Sequence, residues 1–361
     1  MSGKIHGPAA EALASLSPDD VAFLQSIPKA ELHAHLHGSI PISVLQSLAR
    51  KSKTSNAQYN DSITKGLKIL EDGVQLEAID DFFGLFPAIY SLISNDENLA
   101  TVTEAVIETF IGSVDGAPPQ CQYLELRTTP RSNRNMSRRQ YLQIVLAVIE
   151  RYPADKVALI VSLDWRMKPQ DALESLNAIV NLYQEGRRIV GVDLCGDPQA
   201  ADVDKLLPFL QAAQAKGLAI TVHIAETAAN PEHETNGLLD LPPSRLGHAT
   251  FLNDEARARV LKEKIPIEIC LSSNLLCKTS SSLADHHVLH WLKQEDHPIC
   301  ICTDDILPFR NSLLGEYALL LAKPPLGLGL ARSEIERIAK QGMESRFRPR
   351  PPVEVVAEQE D

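Results

Sequence analysis

The sequence predicts a (β/α)8 TIM barrel with extra helices. Eight apolar runs of strand length alternate with segments of helical pattern, and such strands are typical of a parallel sheet covered by helices. The chain has 361 residues, and a barrel of this kind needs about 250. Ionisable residues follow nearly every run at its C-terminal end, which is where the active sites of such barrels lie.

The predicted strands cover residues 29–36, 121–127, 156–163, 189–194, 218–224, 244–248, 265–271 and 298–303. Helical patterns cover 43–50, 137–151, 169–185, 202–216, 254–263, 284–294 and 311–345, and an apolar stripe at helical spacing covers 76–93. We interpret the polar segment 51–66 as a loop. A doubly wound open sheet is the alternative, but its Gly-x-Gly-x-x-Gly turn does not follow the first strand.

The two ends of the chain differ from the barrel region. Ser17, followed by Pro18, Asp19 and Asp20, marks a helix start, because Ser caps helix N-termini and acidic residues favour the first turn. We assign 1–27 to an N-terminal extension that contains this helix and 28–345 to one catalytic domain. Residues 346–361 are Pro-rich and then acidic, which predicts a disordered tail.

Composition limits the partners. The formal net charge of −12 argues against a nucleic acid polymer, which binds to a basic face. No run approaches the roughly 20 apolar residues of a membrane span, and the first residues show no apolar signal region. The six cysteines are scattered and are interpreted as reduced. We expect a monomeric, cytoplasmic protein that acts on a small molecule and not on a membrane.

Histidines and a carboxylate at the strand ends predict a metal site. His33 and His35 lie two residues apart on the first strand and therefore share one face. His223 lies at the end of the fifth strand, and Asp304 follows the eighth. Neutral imidazoles and a carboxylate are typical zinc ligands. We predict one zinc ion per chain, held by these four residues, with a position left for water.

Two further strand-end residues predict hydrolytic chemistry. Glu226 lies three residues after a predicted ligand and is free to carry a proton, and His248 could orient or stabilise a hydroxide. Zinc lowers the pKa of bound water to about 7, so this hydroxide is available at neutral pH. The fourth strand has no lysine at its end that could bridge two metals. This favours one ion, although Asp193 leaves a second ion open.

Other polar residues keep a structural interpretation open. Glu125 and Arg127 alternate along the second strand and could pair inside the barrel. Asp164, at the end of the third strand, is a candidate for contact with substrate. The combination His-x-His, His-x-x-Glu, Gly-His and Asp-Asp, in this order, is much more specific than any one of these residues.

Four segments of the chain resemble the adenosine/AMP deaminase family. They are Pro28–His35, His223–Glu226, Arg245–His248 and Thr303–Asp305. The segments 123–131, 193–198 and 270–274 resemble its adenosine deaminase-like branch, whose members deaminate N6-methyl-AMP and related N6-substituted purine nucleoside monophosphates. The resemblance implies a zinc-dependent hydrolase of this substrate class that converts N6-methyl-AMP and water to IMP and methylamine.

The resemblance also implies roles for single residues. Glu226 would protonate purine N1 while the zinc hydroxide attacks C6. Gly196 and Asp305 would contact N3 and N7, and Asp305 must then hold a proton because N7 is an acceptor. Glu226, His248 and Asp304 are the predicted catalytic residues. The predicted substrate-binding residues are His35, His37, Tyr90, Thr128, Thr129, Pro130, Arg131, Asp164, Gly196, Glu226 and Asp305.

Three positions depart from the family pattern. The position of His37 is usually Asp in adenosine deaminases, where it meets the ribose 5′-hydroxyl, and is often Asn in the nucleotide branch. Tyr90 lies where the branch often has His, and Ala249 replaces a common Gly. These changes leave the metal residues intact and concern the sugar-phosphate end of the substrate.

The strand ends near His37 favour a phosphate. A carboxylate at position 37 would repel a phosphate dianion, whereas a histidine donates a hydrogen bond. Thr128, Thr129 and Arg131 add hydroxyls and a guanidinium that suit phosphate oxygens. The competing interpretation places Arg131 in a solvated basic loop.

Three alternative functions remain open. An adenosine or adenine deaminase would differ at position 37 and at the donors in 128–131. A generic metal-dependent amidohydrolase usually carries a bridging lysine, which is missing here. A non-catalytic nucleotide-binding barrel should have lost a metal ligand or Glu226, and neither is lost.

Overall fold

The computed structural model describes residues 5–52, 57–72, 84, 86–113, 116–294 and 296–348. Eight parallel strands pair in chain order in a single sheet. They are β1 (Ala30–His35), β2 (Tyr123–Thr128), β3 (Val157–Asp164), β4 (Ile189–Cys195), β5 (Ala219–Ile224), β6 (Arg245–His248), β7 (Ile267–Ile269) and β8 (Ile299–Ile301). Each predicted run overlaps one strand, and β2, β3 and β4 extend one residue beyond their runs. The prediction of a (β/α)8 barrel is confirmed.

The sheet closes between β1 and the residues after β8. Ala34 pairs with Asp304 in parallel orientation, and the Asp304 amide donates to the His33 carbonyl at 2.9 Å. The closure places Asp304 beside the two histidines of β1, although these residues lie at opposite ends of the barrel sequence.

Helices surround the barrel and cover its apolar outer face. Ser17 caps α2 as predicted, because its Oγ accepts from the Asp20 amide at 3.1 Å. The described helices are α1 (Gly7–Ser15), α2 (Pro18–Ser26), α3 (Ile42–Lys51), α4 (Ala57–Asp72), α5 (Phe86–Leu92), α6 (Asp96–Ile111), α7 (Arg138–Ile149), α8 (Pro169–Gln184), α9 (Val203–Gln214), α10 (Glu232–Leu239), α11 (Asp254–Glu263), α12 (Leu271–Leu276), α13 (Val288–Leu292), α14 (Ile306–Phe309), α15 (Leu313–Leu321) and α16 (Arg332–Glu344).

The interpretation of 51–66 as a loop is wrong, because α4 occupies most of it. Ile63, Leu67 and Leu70 are buried, and their spacing of four and three residues places them on one helix face. The window 51–66 contains only the first of them, so the apolar stripe was not visible within it. Of the predicted stripe over 76–93, residues 76–83 and 85 lie outside the described residues, and α5 covers most of the rest.

Paired charges fill part of the barrel interior. Arg245 donates to Glu125 at 2.6 Å and to Glu268 at 2.7 Å, and Arg127 donates to Glu268 at 2.9 Å. All four side chains are fully buried, and buried charges are tolerated only when they are paired. Pairing of Glu125 and Arg127 inside the barrel, which the sequence left open, is thus observed. Their partners, Arg245 and Glu268 on other strands, were not predicted.

Both ends of the described chain pack against the barrel. A Cβ at Gly315 of α15 would lie 3.0 Å from Cβ of Ala9, so α1 packs tightly on α15. At the other end Phe347 is buried, and its amide donates to Glu125 at 2.6 Å. Residues 349–361 of the predicted tail lie outside the described residues, and the division of the chain at 27 and 345 stays a prediction.

Within the described part of the chain, the helices are too short or too polar to cross a bilayer.

Candidate active site

A cavity opens at the C-terminal ends of the strands. Its walls come from β1 to β6, from the segments that follow β7 and β8, and from α5. The lining residues are His35, Leu36, His37, Phe86, Tyr90, Arg127, Thr128, Thr129, Asp164, Arg166, Cys195, Gly196, His223, Glu226, His248, Ser273, Cys277, Asp304, Asp305 and Phe309.

Three imidazoles and one carboxylate converge at the base of this cavity. Nε2 of His35 lies 3.3 Å from Nε2 of His33 and 3.3 Å from Nε2 of His223. Oδ1 of Asp304 lies 3.7 Å from Nε2 of His33 and 3.6 Å from Nε2 of His35. The four predicted metal ligands therefore present their donor atoms to one small volume.

Carboxylates behind two of the rings decide where their hydrogens lie. Nδ1 of His33 is 2.6 Å from Glu268, and Nδ1 of His223 is 3.0 Å from Asp193. Burial alone would raise the pKa of both carboxyls, but neighbouring charges, Arg127 among them, lower both pKa values below the usual range. The ionised carboxylates accept hydrogen bonds from the Nδ1 atoms, so each Nε2 carries a lone pair.

This arrangement fits a bound cation. Without one, the lone pair of His33 faces the His35 nitrogen and the Asp304 carboxylate at short range, and the lone pair of His223 faces the His35 nitrogen. Burial lowers the pKa of His33 and His35 well below the usual range, so protonation of these two rings does not relieve the repulsion. Ligands of a tetrahedral zinc ion are about 3.3–3.4 Å apart when the Zn–N distance is about 2.0–2.1 Å. The observed nitrogen separations match that spacing.

Two residues at the site hold an unusual backbone conformation. Asp304 has φ of 63° and His248 has φ of 59°, in the left-handed region that residues other than glycine seldom adopt. Such strain persists where the surrounding structure enforces it, and it is common at functional sites. His248 is the last residue of β6 and Asp304 lies three residues after the end of β8, and both line the cavity.

Glu226 and His248 lie above the base of the cavity. Nε2 of His248 is 3.7 Å from Oε1 of Glu226 and 4.0 Å from Oδ2 of Asp304. Burial raises the pKa of Glu226 to about 7, so the carboxyl holds a proton over part of the neutral range. This is a suitable condition for a general acid.

Asp305 packs against the turn that follows β1. A Cβ at Gly38 would lie 1.4 Å from Oδ1 of Asp305, so only glycine leaves room for this carboxyl. Burial, and next the charge of Asp304, raise the pKa of Asp305 well above its usual range. A protonated Asp305 is a hydrogen-bond donor.

Gly196 and Asp164 lie together at the ends of β4 and β3. Gly196 has φ of 102°, and a Cβ there would lie 2.7 Å from Oδ1 of Asp164, so this position requires glycine. Arg166 donates from Nε and Nη2 to the two oxygens of Asp164, at 2.9 and 2.8 Å. The Asp164 carboxylate is therefore engaged by Arg166 at the cavity wall.

His37 lines the cavity near the end of β2. Its ring is 5.1 Å from that of Tyr90 in an edge-on arrangement, and the guanidinium of Arg131 lies 3.5 Å over the Tyr90 ring. Nε2 of His37 is 3.0 Å from the hydroxyl of Tyr141, which is 2.7 Å from Oγ1 of Thr128. The Thr128 hydroxyl is therefore already in a hydrogen bond within the protein.

The structure brings together most of the residues predicted from sequence. Nine of the eleven predicted substrate-binding residues line the cavity. The other two, Pro130 and Arg131, are not among the described residues that line it. Arg166, Glu268 and Tyr141 belong to the site or support it but were missed. Arg166 lies beyond a strand end and could have been found there. Glu268 lies inside β7 and Tyr141 inside α7, where no local pattern distinguishes them from structural residues.

An eight-stranded parallel barrel with a His/Asp cluster and a buried glutamate at the strand ends defines a metal-dependent hydrolase. The sequence model of the adenosine deaminase family matches residues 28–359. This chain belongs to the adenosine deaminase family and is a hydrolytic deaminase.

Relatives are similar over most of their length. The chain is 32 % identical to N6-methyl-AMP deaminase of Danio rerio over 343 residues, which cover 91 % of this chain and 93 % of that one. The apo structure of the N6-methyl-AMP deaminase from Arabidopsis thaliana matches with a TM-score of 0.78 and 32 % identity, over 91 % of this chain and 94 % of that one. An Arabidopsis structure in complex with IMP matches with a TM-score of 0.76 and 31 % identity, over 90 % and 94 %.

Proposed function

We propose that this chain hydrolyses N6-methyl-AMP and related N6-substituted purine nucleoside monophosphates, releasing the amine and leaving IMP. The observation that carries this proposal is the convergence of three imidazole nitrogens and Asp304 beside Glu226, whose pKa burial raises to about 7. The similarity to relatives named N6-methyl-AMP deaminase, in Danio rerio and Arabidopsis thaliana, supports the choice of substrate.

One zinc ion would be held by His33, His35, His223 and Asp304. Neutral imidazoles and a carboxylate are ligands that zinc prefers, and Glu268 and Asp193 orient two of the rings through their Nδ1 hydrogens. Bound zinc supplies a nucleophilic water at neutral pH.

The chain's own residues then control the protons and the orientation of the purine. Glu226 donates a proton to N1, which neutralises the charge that develops when C6 loses ring conjugation. His248, 3.7 Å from Glu226, orients the attacking water. Protonated Asp305 donates to N7, and the Gly196 amide approaches N3 because no Cβ stands in the way.

The site near His37 would bind the 5′-phosphate. His37 and Tyr90 line the cavity, and Arg131 brings a positive charge to the face of Tyr90. The related Arabidopsis structure in complex with IMP, a nucleoside monophosphate, supports a site of this kind. A carboxylate at position 37, as in adenosine deaminases, would repel the phosphate.

The test is a comparison of four substrates with the purified zinc-loaded protein: N6-methyl-AMP, N6-methyladenosine, AMP and adenosine. We expect N6-methyl-AMP to have the highest kcat/KM and to yield IMP and methylamine. Equal efficiency on N6-methyladenosine would refute the phosphate site and favour an adenosine deaminase. Failure to act on all four would refute the proposed function.

We expect Arg131→Ala and His37→Asp to weaken the action on N6-methyl-AMP far more than on N6-methyladenosine. Charge-assisted contacts contribute roughly 1.5–3 kcal/mol, so kcat/KM for the nucleotide should fall about ten- to a hundred-fold. Arg166→Ala is the comparison, because Arg166 also lines the cavity. A nucleotide-specific loss in Arg166→Ala alone would assign the phosphate contact to the end of β3 and contradict the role of Arg131.

A further inference from the structure

Tyr141 of α7 links the ends of β1 and β2 through two hydrogen bonds. Its hydroxyl lies 2.7 Å from Oγ1 of Thr128 and 3.0 Å from Nε2 of His37. All three side chains are at most 6 % exposed. Buried polar groups pair nearly all of their hydrogens, so the direction of each bond follows from counting hydrogens and acceptors.

Two arrangements satisfy these distances. In the first, Thr128 donates to Tyr141, and Tyr141 donates to the lone pair on Nε2 of His37. In the second, Nε2 carries a hydrogen and donates to Tyr141, which donates to Thr128.

Only the first arrangement pairs both hydroxyl hydrogens within the protein. In the second, the Thr128 hydroxyl hydrogen would need another acceptor, and within the described part of the chain Oγ1 of Thr128 has no partner besides Tyr141. A buried donor without an acceptor is unfavourable. Burial also raises the pKa of Tyr141, so its hydroxyl keeps the hydrogen that the first arrangement requires. Nε2 of His37 is therefore an acceptor, and the ring hydrogen lies on Nδ1.

The other ring nitrogen is available to a ligand. His37 lines the cavity. Among the residues described, its Nδ1 has no hydrogen-bond partner, and this atom is not fully buried. We infer that Tyr141 is a positioning residue that keeps the His37 hydrogen on Nδ1, where it is donated to an oxygen of the substrate's 5′-phosphate. This inference rests on the proposed function.

The ring nitrogen that carries the hydrogen decides whether the histidine attracts or repels a phosphate. A neutral imidazole donates from one nitrogen and presents a lone pair at the other. Without Tyr141 the hydrogen would move to either nitrogen, and the lone pair on Nδ1 would face the phosphate oxygens in part of the molecules. Tyr141 itself is held in place because α7 begins with a capping box between Ser137 and Gln140.

The experiment uses the full zinc-loaded chain and the variant Tyr141→Phe. Nitrogen-15 NMR of the substrate-free protein, with the His37 signals assigned by their loss in His37→Asn, shows which ring nitrogen carries the hydrogen. We expect hydrogen on Nδ1 in the wild type and a mixture in Tyr141→Phe. In kinetics, KM for N6-methyl-AMP should rise about five- to tenfold with kcat nearly unchanged. This is less than the roughly ten- to a hundred-fold effect of a hydrogen bond to a charged group that is lost completely, because part of the molecules keep the hydrogen on Nδ1.

Tyr152→Phe is the matched control, since the Tyr152 hydroxyl donates to Glu108 on the surface, and it should change neither readout. The inference would be overturned if the His37 hydrogen of the wild type lies on Nε2. It would also be overturned if Tyr141→Phe leaves the His37 tautomer unchanged. An equal loss on N6-methyladenosine would assign Tyr141 a structural role instead. If the protein turns over no nucleotide, the NMR result still decides the position of the hydrogen, so failure of the proposed function appears separately, in the kinetics.

Discussion

We expect Glu226→Gln to retain zinc and bind substrate while kcat falls by about 10²–10⁴-fold, the usual contribution of general acid catalysis. The glutamine amide still donates a hydrogen bond to purine N1, so the nucleotide remains bound. It has no proton to transfer, however, and the charge on the ring stays uncompensated during attack at C6. The measurement is kcat and KM for N6-methyl-AMP together with zinc content.

The fold should tolerate this change. Burial raises the pKa of Glu226 to about 7, which means that the ionised form is unfavourable at this position. Glutamine has the same shape and no charge, so the melting temperature should stay the same or rise. Glu255→Gln makes the same change at an exposed position of α11 and should leave kcat unaltered. Near-normal turnover in Glu226→Gln would contradict the proton-donor role.

We expect His223→Ala to lose both zinc and activity. The change removes one of the three converging imidazole nitrogens and one of the hydrogen-bond donors to the Asp193 carboxylate, to which Ser162 also donates. Loss of an outer partner of a ligand commonly lowers metal affinity about 10–100-fold, and loss of the ligand itself should exceed that. Zinc content after dialysis against a chelator and kcat/KM on the same sample measure the effect.

Two further variants make this result interpretable. His223→Asn keeps a donor toward Asp193 but cannot reach the metal position, so it should also lose zinc while its fold is less perturbed. His233→Ala removes an exposed histidine of α10 and should keep both zinc and activity. One equivalent of zinc retained by His223→Ala would refute the ligand assignment, and two tightly bound ions in the wild type would refute the single-zinc site.

The strands and the reactive residues were predictable because their signals are local. An apolar run in a parallel barrel has its C-terminal end at the active site, so the last residue of each run and the two residues after it include Asp304, Glu226 and His248. Residues two apart on a strand share one face, so the sequence placed His33 and His35 side by side. Helix α4 was not predicted because two of its three buried apolar residues, Leu67 and Leu70, lie beyond the polar segment 51–66.

The partners that hold the site residues in place from behind could not be predicted from the sequence. Glu268 lies on β7 and His33 on β1, and nothing in either local pattern indicates that one accepts the hydrogen of the other. Tyr141 has the appearance of an ordinary core residue of α7, and only the packing of that helix against the barrel brings its hydroxyl to His37.

The sequence by itself determined the barrel, the set of strand-end residues and the chemistry that those residue types support, because strand periodicity and chain order depend on neighbours in sequence. The tertiary structure decided where the ring hydrogens of His33 and His223 lie and which carboxyl groups hold a proton. These properties depend on burial and on partners from other strands, as the raised pKa of Glu226 and the Asp193–His223 pair show. The pairing of the strands and the closure of the sheet bring those partners together, and no local pattern encodes either.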